Sequence, residues 1–389
     1  MAEPGSAFRW QSLRTPLDAP ISVLVLMVPV SLWASFDWRF SLAKAVVLLA
    51  SVAIFYGLVA YASSRKRFRT AVASYLTLGL LVAIVCLLGT DWLPKNPFLS
   101  RITSHLPRSF RGWPGAEVGF HPNEVAGVLL LFVPLQWALA LRLANNGLLL
   151  SWYGSALVFS GVVCTSTLVL TQSRGALLGL AVAVVTIAAW RNRRVRLFVI
   201  VLCLAVLLAA AIGGLDVVHL TLRRGIARQV LGRSNWDFRV KVWRAAWWGI
   251  QDFPFTGMGL GTFRRVARVL YPVAISPPNY DIAHAHNGFL QAALDLGVPG
   301  LLAYTGLWSV AAYMVWTSQV RGEDWQRAAA LGLGGCMMSS FVFNLLDTVA
   351  LGAKGGAPWW MMLGLVASLY RLVLSLPTDR GQVSESLLV

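Results

Sequence analysis

The sequence predicts an all-α polytopic membrane protein with about ten transmembrane helices and one large loop containing an amphipathic helix. Three observations predict it. Apolar runs of 18 or more residues recur along the 389 residues, the length a helix needs to cross a ~30 Å hydrocarbon core. Hydrophobic residues make up 57% of the chain and charged residues 13%, about half the charge fraction of a soluble domain. The runs do not alternate in polarity at every second residue, as barrel strands would.

Spans are expected at about 21–36, 41–62, 70–90, 123–141, 148–170, 175–190, 197–214, 286–316, 328–350 and 358–376. The polar start Met1–Pro20, with Arg9, Arg14 and Asp18, lacks a signal-peptide pattern, so the first span reads as an uncleaved signal anchor. The eighth run exceeds what a bilayer requires, which places its first turns in the interface or along a cavity. Residues 1–389 read as one integral membrane domain, with 215–285 as a large loop within it. Cys86, Cys164, Cys203 and Cys336 all lie in apolar runs and read as packing residues.

Orientation follows from the short loops. Ser63–Arg69 and Arg191–Arg196 are compact basic connectors that belong in the cytoplasm, and Arg142, Arg321, Arg327 and Arg371 fall on the same side. Both termini are then cytoplasmic. The opposite, outer face receives 91–122, the tight turn at Arg174, the 215–285 loop and the turn at Lys354. Trp33, Trp38, Trp92, Trp113, Trp236, Trp243, Trp359 and Trp360 lie near span ends, where interfacial aromatics collect. The net charge of +17 does not point to nucleic acid, because the charges flank membrane spans and no polar segment is long enough for such a domain. Membrane lipids are the partners it implies.

Leu215–Ala285 carries ten Arg/Lys against four Asp and closes on His284-Ala285-His286-Asn287. Arginine and histidine gathered at one water boundary, with few carboxylates, suit an anion attached to a lipid. Four clusters meet there. In Arg111-Gly112-Trp113-Pro114 through His121-Pro122-Asn123-Glu124, Pro122 suits a helix start and Asn123 a cap. Arg174, alone in the turn Thr171-Gln172-Ser173-Arg174-Gly175, reads either as snorkelling to headgroups or as a bidentate phosphate ligand. Arg239, Trp243, Ala246 and Ile250 fall at helical spacing and predict an amphipathic helix on the membrane surface, followed by a tight glycine turn at Gly257, Gly259 and Gly261. His284 and His286, at i and i+2, do not share a helical face, and no Cys or carboxylate stands at ligand spacing, so no metal or other cofactor is expected. Asn287, Gln291 and Asp295 do share a face. No nucleotide loop and no Ser-His-Asp elbow is present.

On these pieces the chain resembles the O-antigen ligase family, which shares its characteristic region with O-antigen polymerases and bacterial protein O-oligosaccharyltransferases. The matching segments run in family order: 121–127, 170–176, Arg239 with Trp243 ahead of 254–259, and 286–291 ahead of 295–297. The resemblance implies metal-independent inverting transfer of a glycan from undecaprenyl pyrophosphate to an acceptor hydroxyl, lipid A–core in the ligases, at the periplasmic face of the bacterial inner membrane. It implies Arg174, Arg239 and His286 as catalytic groups. Arg174, Arg239, His284, His121, Asn123, Asn287 and Arg111 are the expected substrate-binding residues. The chain departs from the family in having about ten spans rather than twelve, and Asp295 where Glu is common. A polymerase or protein oligosaccharyltransferase is the alternative within the family. A flippase of lipid-linked sugars is the alternative from another class, and would show charged span interiors and helices broken near the midplane.

Reporter fusions test the orientation: cytoplasmic signal is expected at Arg67 and Arg193 and periplasmic signal at Asn235. Cytoplasmic signal at Asn235 would overturn the topology.

Overall fold

The computed structural model describes residues 14–93, 95–112, 119–212, 233–272, 282–349 and 351–375. The expectations for Arg9, for Trp113 and for 213–232 and 273–281 of the large loop lie outside the described residues, as does the side chain of Cys203. The described residues form α1 (Asp18–Trp33), α2 (Trp38–Tyr61), α3 (Arg65–Gly89), α4 (Pro97–Ser104), α5 (Pro122–Leu129), α6 (Val133–Asn145), α7 (Trp152–Leu170), α8 (Arg174–Arg191), α9 (Arg193–Ile212), α10 (Arg233–Asp252), α11 (Phe263–Leu270), α12 (Gly288–Arg321), α13 (Asp324–Leu346) and α14 (Ala357–Leu374), with no strand among them. The all-α polytopic class holds. Each of the ten expected spans falls on helix, but among the described residues eight, counting α5 and α6 together, are long and apolar enough to cross a membrane; α1, at 16 residues, is shorter, and α9 is not one of the eight. Cys86, Cys164 and Cys336 are buried free thiols, as packing residues should be.

The bundle is organised around α13, which packs on α6, α8, α12 and α14, while α1 lies along α12 and α14 along α2. Without a hydrophobic drive between helices inside lipid, close van der Waals approach is what holds such a bundle. Gly179 shows how close: a Cβ there would meet the Ser339 carbonyl oxygen of α13 at 2.5 Å.

Two spans are broken, and both breaks are satisfied by protein. The fourth expected span divides at Leu130–Phe132 into α5 and α6, because Pro134 supplies no N–H and its ring crowds the carbonyl four residues earlier. The freed acceptors are taken by side chains of neighbouring helices: Ser339 donates to the Leu130 carbonyl at 3.2 Å and Tyr75 to that of Leu131 at 2.9 Å. In α12 the backbone turns left-handed at Gly297 (φ +67°), two residues before Pro299. The expectation that the first turns of this long run line a cavity is met, since Gln291 and Asp295 are buried and border a polar cleft.

The glycine turn after α10 docks into that break. Met258 donates its amide to the Leu294 carbonyl and Val298 donates to that of Pro254, both at 2.7 Å, while the Asp295 carboxylate accepts from the Gly261 amide at 2.9 Å. The amphipathic helix is also present, but its apolar face is covered by protein. Val242, Ala245, Ala246 and Ile250 pack with Met258, Phe263, Ala285 and Leu294 rather than facing lipid, which corrects the surface-lying expectation. Burial against α11 and α12 removes the same apolar area from water and also fixes the direction in which Arg239 points.

Gly257 has φ +68°, and a Cβ on it would lie 2.7 Å from the Gly297 amide nitrogen. Gly257→Ala should therefore cost at least the ~1–2 kcal/mol of a left-handed L-residue. It should lower the thermal midpoint in detergent; an unchanged midpoint would show that the turn does not hold α10 to α12.

Candidate functional site

At the end of α13 the chain leaves its helix at Asp347, which is 3% exposed and around which the candidate residues gather. Its Oδ2 accepts from Asn123 Nδ2 at 2.9 Å and from the Arg239 guanidinium at 3.3 Å. Its Oδ1 faces His286 Nδ1 at 3.1 Å and His284 Nε2 at 3.5 Å, and also accepts from the Thr348 amide at 3.0 Å. Burial alone would favour the neutral acid. The His286 hydrogen bond and the positive groups beside it outweigh that, and hold the carboxyl well below the usual range. Arg239 is the partner that keeps its charge at every physiological pH.

The two histidines stand in different states, and their hydrogen bonds say which. An ionised Asp347 accepts only, so the bonded His286 nitrogen, Nδ1, carries a proton, and in the neutral ring the acceptor is then Nε2. His284 uses both nitrogens: Nδ1 accepts from the His286 amide at 3.2 Å, which leaves Nε2 as the donor toward Asp347. Burial pushes the His284 pKa down to about 4, against the pull of Asp347 and with help from His286, His121 and Arg239. His286 itself sits at φ +50°, pinned by the Trp243 indole donating to its carbonyl at 3.3 Å and by the Phe238 ring against its imidazole.

Among the described residues the only other non-glycine with positive φ is Gln172, in the turn before Arg174. Backbone strain of this kind persists where surrounding bonds over-determine it, and such residues collect at functional sites. Gln172 accepts from the Asn96 amide at 2.6 Å and donates to the Leu93 carbonyl at 3.3 Å, which ties the α7–α8 turn to the 93–96 segment. That tie brings Lys95 to Arg174 and Arg239. The Lys95 ammonium is held below its usual pKa by partial burial and then by repulsion from those two arginines. Arg174 is exposed at the first position of α8, where the helix dipole also disfavours a cation unless an anion is present. The Arg239 Nε is buried with no hydrogen-bond partner among the described residues, a donor that an incoming anion would satisfy.

The other expected residues take varied places. Asn123 is part of the cluster. His121 caps α5 by accepting from the Asn123 amide at 3.3 Å, and is near enough to His284 to disfavour its charge. Asn287 caps α12 by accepting from Phe289 and Leu290, and donates to the Leu345 carbonyl at 3.2 Å, so its amide acts as a clamp between α12 and α13. Arg111 is exposed, and no described interaction joins it to the cluster.

Two residues escaped the sequence reading. Asp347 was absorbed into the end of an apolar run, although a carboxylate there was itself a signal. Lys95 lies in a loop with no pattern to mark it. To the arginines and histidines of the large loop the structure adds one buried carboxylate, Asp347, on which Arg239, His284 and His286 meet. The helical argument against paired histidines fails, because residues 282–287 are not helical and the rings lie 4.4 Å apart. His284, His286 and Asp347 place three ligand atoms within 4.8 Å of one another, a donor set that suits a divalent ion. The surrounding charge does not suit one: Asp347 already holds Arg239, and Lys95 and Arg174 add to the repulsion. On the far side of His284 opens a polar cleft of about 340 Å³, bordered by Lys44, Glu124, Arg264, Gln291 and Asp295.

The fold and cluster define a multi-pass α-helical membrane protein that presents cations and one oriented imidazole at the end of its bundle. Residues 158–305 match the family model described as O-antigen ligase, which bears out the resemblance and supports a membrane glycosyltransferase of the O-antigen ligase/polymerase type. The match contains Arg174, Arg239, His284 and His286, whereas Lys95, His121, Asn123 and Asp347 join them from outside it. No curated protein matches the chain.

Because His284 in a released loop would titrate near 6.5, the released state binds more protons between pH 6.5 and about 4. Stability from this contact should be lost as pH falls through that window. The thermal midpoint of the wild type should drop more steeply there than that of His284→Gln; parallel slopes would remove His284 from the account.

Proposed function

We propose that the protein transfers a glycan from undecaprenyl pyrophosphate to a sugar hydroxyl of lipid A–core, with inversion and without a metal, at the periplasmic face of the inner membrane. One observation carries this reading: Arg239 and an imidazole tied through its Nδ1 share one buried carboxylate, Asp347, and Lys95 stands close enough to Arg239, Arg174 and Asp347 to feel their charges. The family match over 158–305 supports the reaction class.

In this reading the donor pyrophosphate sits among Lys95, Arg174 and Arg239, and the acceptor approaches along the cleft beyond His284. His286 Nε2 takes the proton of the acceptor hydroxyl. The hydroxyl oxygen forms its bond to the anomeric carbon as the bond from that carbon to the pyrophosphate oxygen breaks, and the electron pair leaves with the phosphate. Back-side attack inverts the centre. The cations neutralise the charge that grows on the leaving oxygen, the task a metal performs elsewhere. Asp347 does not touch substrate; it sets the His286 tautomer and fixes the Arg239 fork, so it is a positioning residue. A polymerase or a protein oligosaccharyltransferase would run the same steps on another acceptor.

The flippase alternative gains one observation, the two broken helices. It is weakened by how the breaks are filled: Ser339, Tyr75 and the glycine turn take the freed groups, and the cations collect at the bundle end instead of along a path.

The test is glycan transfer from a polyprenyl-pyrophosphate donor by purified protein in detergent. His286→Ala should lose ~10²–10⁴-fold while retaining donor binding, and His284→Ala should lose much less. Arg239→Lys should already be impaired, since a point charge replaces a two-point fork. Asp347→Asn should fall with His286→Ala, and excess EDTA should change nothing. Activity lost in EDTA and restored by a divalent ion would overturn the metal-free mechanism. Normal transfer by Arg239→Ala would reduce that residue to an interfacial contact.

A further inference from the structure

A groove of about 590 Å³ runs between α3, α6, α7 and the start of α13, and the proposed reaction makes no use of it. Its walls are mainly apolar, among them Phe68, Val72, Leu76 and Leu80 of α3 and Leu139 of α6. One end carries three arginines, Arg65, Arg69 and Arg142. That end lies far from the Asp347 cluster, because Trp325 at the groove mouth and Asp347 stand at opposite ends of α13, ~33 Å apart at 1.5 Å per residue. From Phe68 to Leu80 the groove follows α3 for ~18 Å, close to the ~15 Å depth of one leaflet of a ~30 Å hydrocarbon core.

The arginine end is built rather than incidental. Arg142 is held by Asp324 at 2.9 Å, and Arg65 lies over the Trp325 ring at 5.1 Å with Glu323 at 4.0 Å. Arg69 is exposed and has no ion-pair partner among the described residues, so the mouth keeps a positive excess over its two carboxylates. Near the groove, Leu150, Trp152 and Tyr153 are strongly exposed, as residues at a headgroup boundary are. A long apolar slot of one-leaflet depth that ends in cations matches a single lipid with an anionic headgroup.

We propose that this groove holds one anionic phospholipid of the leaflet opposite the Asp347 cluster, its phosphate among Arg65, Arg69 and Arg142 and one acyl chain along α3. The lipid would brace α3 against α6 and α7, and α7 leads at its other end into the Gln172–Arg174 turn. The site is independent of the proposed transfer, since its arginines and the cluster share no residue.

The test uses full-length protein in nanodiscs of equal phosphatidylglycerol and phosphatidylcholine, released and weighed by native mass spectrometry. One phosphatidylglycerol should be retained in preference to phosphatidylcholine. Arg69→Ala should cut that preference about fivefold, the equivalent of the ~1 kcal/mol that one basic residue contributes at an anionic surface. Arg69→Lys should restore most of it. Ala73→Phe, placed where an exposed alanine lines the slot, should abolish retention of either lipid. Equal retention of both lipids by the wild type, or unchanged retention in Arg69→Ala and Ala73→Phe, would overturn the proposal. One-for-one displacement of the bound lipid by a polyprenyl pyrophosphate would overturn it too, by making the groove a seat for the donor's tail.

Discussion

A single buried carboxylate organises the end of this bundle. An ionised group taken out of water is tolerated only when opposite charge and hydrogen bonds surround it, and Asp347 meets that requirement with groups drawn from three separate segments. α5 supplies Asn123, α10 supplies Arg239, and the loop before α12 supplies both histidines. Each of these would be costly to hold in place alone. Together they fix the α10 helix, the 282–287 loop and the α5 start against the end of α13, and they orient one imidazole in a defined tautomer.

The cations and the carboxylate divide the work by distance. Arg239 is shared, with one edge on Asp347 and its Nε without a partner among the described residues. Arg174 and Lys95 lie further out, brought together by the strained Gln172 turn and its bonds to the 93–96 segment. The positive field is therefore directed outward from a carboxylate that holds it in place. In the proposed transfer an anion bound there would complete the Arg239 donor set without displacing Asp347.

The supporting shell depends on irregular backbone that a membrane tolerates only when protein supplies the missing partners. The Gly297 break in α12 would expose amide and carbonyl groups, and the turn of 254–261 fills it through Met258, Val298 and Gly261. The same bonds hold α10 and therefore Arg239. Structure in the broken span and position in the site are thus one problem, solved by glycines at 257, 259, 261 and 297 that accept positive φ where a side chain would collide.

The sequence by itself determined the bundle. Apolar length, scarce charge and basic connectors follow from the cost of polar groups in hydrocarbon, which acts on composition and needs no tertiary partner. It also marked Arg174, Arg239 and His286, through short segments in a family order. The centre of the site was not legible. Asp347 stands 61 residues after His286 at the tail of an apolar run, and only the packing of α13 against α6, α8 and α12 brings it there. The i, i+2 spacing of the histidines misled for the same reason: periodicity constrains side chains within a helix, whereas these two lie in a loop whose shape is set by the carboxylate it closes on. What local pattern cannot encode is a charge balance assembled from distant segments, and that balance was decided by the tertiary structure.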